Sequence, residues 1–194
     1  MGGAMRGWRW RPPFHIPRTF RAIAALAAAV AAIVVTARRW QAGRLGIYAI
    51  EVAGESMTPA FEPGDFLLVR RAPLPPDDRA CGLVVCARGP DDRLLLKRIV
   101  GVPGDSLRIG TTVQVAGRTL LEPYAHGETP TEQYRGVHEL GPDEYMVLGD
   151  HRAASTDSRD FGPLPAHRIE GIALLRYWPP GRIGRLPRTP RQFA

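Results

Sequence analysis

From Ile47 onward every apolar stretch of this chain is cut short by a turn. The clusters TPAFEPGD, APLPPDD, RGPDD, VPGD and GPDE interrupt it, and each proline in them fixes its own φ and removes a backbone donor. What lies between is short and rich in valine, isoleucine and leucine, which suits half-buried strands. Strands are predicted at 47–53, 65–70, 82–88, 93–100, 106–109, 112–115, 144–148 and 169–178. Many short strands at such spacing imply a mainly β domain, a compact barrel or sandwich with coil inserts.

The first part of the chain reads differently. Residues 22–37, AIAALAAAVAAIVVTA, form an uncharged run of sixteen residues between Arg21 and the pair Arg38 and Arg39. As a helix at about 1.5 Å per residue it would span about 24 Å, slightly less than a hydrocarbon core of about 30 Å. Phe20 and snorkelling arginines close most of the difference, and Trp40 and Tyr48 suit the far interface. Residues 22–39 are therefore expected to be a single transmembrane α-helix and residues 1–21 a basic cytoplasmic arm. More arginine precedes the run than closely follows it, so the remainder should lie on the extracytoplasmic side of the cell membrane. Two rival readings stand beside the anchor: a cleaved signal peptide, since Val35-Thr36-Ala37 resembles a small-residue cleavage site, and a buried Ala-rich helix. The folded domain is expected at 45–180. The stretch 181–194, basic and without periodicity, reads as a tail.

Charge narrows the partners. The formal net charge is +7, with arginine crowded at both ends. Because the first basic cluster abuts the apolar run, the expected anionic partner is a lipid bilayer and not nucleic acid. Of the 26 basic residues, Lys97 is the only lysine. Arginine stays protonated in proteins and cannot accept a proton, whereas a buried lysine can. A lone lysine in an arginine background therefore stands out as a candidate base. Cys81 and Cys86 sit at an odd offset in CGLVVC. A strand would place them on opposite faces, which makes a mutual disulfide awkward and buried, inert thiols the expectation. No metal-ligand spacing is present, and no cofactor is expected.

Three segments exceed what a β scaffold needs. In GESMTPAFEPGD (54–65), Ser56 sits on a tight turn that can present its hydroxyl and its own N–H to one reacting centre. In LLLKRIVGVPGD (94–105), strand alternation gives Lys97 a face shared with Leu95 and Ile99, as a desolvated amine requires, and turns Arg98 the other way into a structural ion pair. In GDHRAASTDSRDFGP (149–163), small polar residues can lock a loop by side-chain-to-backbone hydrogen bonds. Each segment alone is also compatible with an ordinary turn or strand.

Taken together, these segments resemble bacterial type I signal peptidases, S26-type serine peptidases. The S-M-x-P box is Ser56-Met57-Thr58-Pro59, the following G-D is Gly64-Asp65, the K-R-x-x-G-x-P-G-D box runs from Lys97 to Asp105, and the third box runs from Gly149 to Arg159. The resemblance covers about residues 20–180. It implies a membrane-bound serine endopeptidase that removes signal peptides from exported preproteins. Ser56 would be the nucleophile and Lys97 the general base; Ser155 would orient the ammonium, and Asp157 and Arg159 would form a supporting ion pair. Two departures stand out: His151 where the family usually has Asn, and Gly54 where some members carry a serine that assists the oxyanion. A dedicated maturation protease with few substrates is the alternative within the superfamily. A non-catalytic membrane-tethered assembly factor is the alternative outside it.

Overall fold

The computed structural model describes residues 46–129, 136–186 and 188–194. The expected arm and anchor lie outside the described residues. Among those described, no helix is long and apolar enough to cross a membrane.

The chain from Gly46 is mainly β. Its strands are β1 (Ile47–Glu51), β2 (Phe66–Arg70), β3 (Val84–Arg88), β4 (Leu94–Gly101), β5 (Ser106–Ile109), β6 (Val113–Val115), β7 (Arg118–Thr119), β8 (Val137–Glu139), β9 (Glu144–Leu148), β10 (Leu164–Pro165), β11 (Ile169–Trp178) and β12 (Gly184–Arg185). All eight predicted strands are present; the four others are pairings of two or three residues. A large antiparallel sheet runs in the order β1-β2-β11-β3-β4-β9-β10, with β12 added to β11, and a smaller one runs β7-β6-β5-β8.

Packing explains the residue choices. On β3, Val84, Val85, Cys86 and Ala87 are all buried, so the strand is apolar without alternation because both its faces are covered. Val85, Ala87, Ile99, Val147 and Ile172 form one core cluster, while Val84 and Cys86 join Met57, Phe61, Leu67 and Val69 in another. A third cluster, with Val100, Met146 and Leu148 from the large sheet and Leu107, Ile109 and Val113 from the small one, packs the two sheets together. Cys81 and Cys86 are free and buried in different clusters, and burial pushes their thiols up to about 12 and about 11. Cys81 follows a 3-10 turn and Cys86 lies on β3, and burial with so little thiolate leaves both inert.

The described residues of the basic stretch 181–194 lie against the domain. Ala194 N donates to Thr119 O (3.0 Å), Leu121 N donates to Gln192 O (2.8 Å), and Phe193 packs on the third cluster under the Arg118 guanidinium. Arg191 pairs with Asp105 and, at 2.7 Å, with Asp78. Gly82 makes room for the passing chain: a Cβ there would sit 1.7 Å from Thr189 O. Phe193→Ala is accordingly expected to cost about 2 kcal/mol, less than a fully buried phenylalanine. Thermal unfolding should show this as a drop of about 4–8 °C.

Candidate active site

Ser56 is held on the turn between β1 and β2. Thr58 N donates to Glu55 O (3.0 Å), Phe61 N to Met57 O (2.9 Å) and Gly64 N to Val52 O (2.8 Å), closing the loop on itself. Met57 and Phe61, each 1% exposed, anchor it in the core. The far end is tied down by the buried Asp65, which receives Glu62 N–H (3.0 Å) and pairs with Arg176 (3.1 Å); the same guanidinium also donates to Ala60 O (3.0 Å). Asp65 was expected from the box, but Arg176 was not.

Lys97 enters from β4, paired with Val85 of β3. Its side chain is 3% exposed and its Nζ donates to Ser56 Oγ at 2.7 Å. Burial lowers the amine from 10.5 to about 8; the Asp157 carboxylate works in the opposite direction, and the Arg159 guanidinium assists the lowering. At pH 7 an amine with that value is neutral about one time in ten, against under one in a thousand for a solvated lysine. Beside the pair opens a cleft of about 200 Å³ lined by Ile50, Val52, Met57, Leu95 and Leu96. It is mostly apolar and small. Gly54 stands at its edge with nothing within 4 Å of where a Cβ would be.

The third segment forms the wall. Gly149 is squeezed between Ser56 and Ser155: a Cβ on it would lie 2.2 Å from Ser155 Oγ and 2.6 Å from Ser56 O. Ser155 is thus brought beside the Ser56 turn, and its hydroxyl donates to Asp157 Oδ2 (2.7 Å). Asp157 caps the single helical turn Ser158–Phe161, receives Gly149 N–H (2.9 Å) and forms a buried ion pair with Arg159 (2.8 Å). Burial opposes its charge, yet the bonds from Arg159 and Gly149 hold the carboxyl below its usual range.

Behind this wall lies a second buried pair. Arg98 donates to both oxygens of Asp150 (2.8 and 2.6 Å), with side chains 1% and 0% exposed. Tyr124 lies face-on to that guanidinium at 4.1 Å, and Glu122 pairs with Arg152 (2.5 Å). Glu122, Tyr124 and His126, from a segment that reads as plain loop, were missed by sequence reasoning. The only signal was an acid and an aromatic two apart in LEPYAHG. No group of three or more candidate metal ligands occurs among the described residues.

Known proteins share this arrangement of sequence. A family model described as "Signal peptidase, peptidase S26" matches residues 19–178. A signal peptidase I of Leptolyngbya laminosa is 29% identical over 72% of this chain and 72% of its own length. The mitochondrial ATP-independent inner membrane protease subunit 1a of Arabidopsis thaliana is 36% identical over 70% of this chain and 73% of its own. A crystal structure of a signal peptidase I from Enterococcus faecalis V583 aligns at 25% identity with a TM-score of 0.40, over 47% of this chain and 93% of that one. The chain belongs to the signal peptidase family, peptidase S26.

Proposed function

We propose that this protein is a signal peptidase I, a serine endopeptidase that works by a Ser56–Lys97 dyad on signal peptides of exported preproteins. The observation that carries the reading is a buried amine 2.7 Å from a turn serine. The neutral amine takes the Ser56 proton as Oγ attacks the scissile carbonyl. The Ser56 N–H holds the oxyanion. The resulting ammonium then protonates the leaving amine, and the free amine activates the water that releases the acyl group. Ser155, fixed through Asp157 and Arg159, is the positioning residue for the ammonium. The small apolar cleft favours small side chains next to the cut, at the first and third positions before it. Residues 22–39 anchor the enzyme, and confinement to one surface raises the effective concentration of substrate. Trp178 and Ile183, 50% and 58% exposed, would meet the headgroup layer. The inner-membrane protease among the relatives favours a narrower role as the second reading. Counting the precursors that accumulate on depletion separates the two, since a general peptidase leaves many.

The pH profile tests the base. Lys97 must be neutral to act, and its value lies near 8. Cleavage of a signal-peptide substrate should therefore fall about tenfold per pH unit below that value and level off above it. A rate that is flat between pH 6 and 8 would rule out an amine base.

A further inference from the structure

His151 holds the nucleophile turn at two points at once, one through its backbone and one through its ring. Its backbone N–H donates to Ser56 O (3.0 Å), and its Nδ1 lies 3.1 Å from Thr58 Oγ1. Thr58 Oγ1 already gives its single hydrogen to Glu55 O (3.0 Å). The imidazole must therefore be the donor, with the hydrogen on Nδ1 and the hydroxyl oxygen accepting. A relay runs from His151 through Thr58 to Glu55 and spans the residues on either side of Ser56. The ring neighbour of His151 is itself fixed: His126 N donates to Asp150 O (2.7 Å), Arg152 N to His126 O (2.8 Å), and the two imidazole rings lie 5.5 Å apart.

We infer that His151 is the positioning residue of the nucleophile turn, acting through Thr58, in a site where Gly54 supplies no side-chain donor to the oxyanion. With the Ser56 N–H as the hole's donor, any rocking of the turn misplaces nucleophile and oxyanion donor together. The brace holds both. Nδ1 of a histidine and Nδ2 of an asparagine are attached to Cγ alike, so asparagine at 151 can donate to the same oxygen. The inference rests on the proposed dyad.

The test is a cycle of His151→Ala, Thr58→Val and the double variant, with His151→Asn and Ser56→Ala alongside, assayed on a signal-peptide substrate. Each single variant is expected to lower kcat about tenfold with KM within about twofold, the double variant to be no worse than either, and His151→Asn to stay within about threefold of wild type. Additive losses of about a hundredfold, a change carried by KM, or full kcat in His151→Ala would overturn it. So would a failure of asparagine to restore kcat. Thr58→Val leaves the 149–159 loop intact and reads the brace from its other end should His151→Ala fail to fold. Ser56→Ala separates the two claims. Cleavage that survives it refutes the dyad, whereas an inert Ser56→Ala beside a normal His151→Ala refutes only the brace.

Discussion

Arginine at position 97 is expected to end cleavage while leaving the β domain folded. The substitution keeps a long cation on β4 but replaces an amine that can lose its proton with a guanidinium that cannot. General base catalysis is worth about 10²- to 10⁴-fold, and a loss in that range should appear in kcat. Ser56→Ala should be equally silent. Normal turnover by either would refute the dyad. Lys97→Met sharpens the test, because it should be just as inactive yet more stable. The folded amine sits near 8, below its unfolded value of 10.5, so the unfolded chain binds this proton more tightly. Below pH 8 the fold bears the whole cost of a buried charge, and that cost fades as the pH rises from 8 towards 10.5. At pH 7 methionine should relieve on the order of 3 kcal/mol, visible as a higher Tm.

Asp150→Asn should be the most damaging substitution for the fold. The Arg98–Asp150 pair is closed to solvent on both sides, with two short bonds and the face of Tyr124 over the guanidinium. Taking away one charge strands the other, at a cost of about 3–5 kcal/mol. In a domain of this size that is a fall in Tm of roughly 10–15 °C. Replacing both partners by apolar residues of similar volume should recover much of it, because the pair's own desolvation cost disappears with it. If the double replacement is as unstable as the single one, the pair contributes more than it costs. Asp150 also supports the protonated form of Lys97, so its loss should move the pH profile towards lower pH.

The legible part of this molecule was what local chemistry dictates. Strand positions followed from proline and glycine punctuation, and alternation put Arg98 opposite Lys97, where it found Asp150. Ser56, Lys97, Ser155, Asp157 and Arg159 converge because three boxes fall on a turn, a strand and a capped loop that the sheet brings together. What stayed hidden depends on long-range partners. β7 and β12 are two residues each and exist only because a neighbouring strand is there to bond. Glu122 and Tyr124 look like loop residues until Arg152 and Arg98 arrive from elsewhere in the chain. The stretch 181–194 has no pattern of its own, since its order comes from the surface it lies on.

Burial of the chain's single lysine has a practical side. Among the described residues no ε-ammonium faces solvent, so amine-directed labels and lysine crosslinkers find no lysine target on the surface of this domain. Attachment of such a reagent at residue 97 would report that the cleft had opened wide enough to admit it, turning an ordinary tagging reaction into a gauge of how often this enzyme breathes.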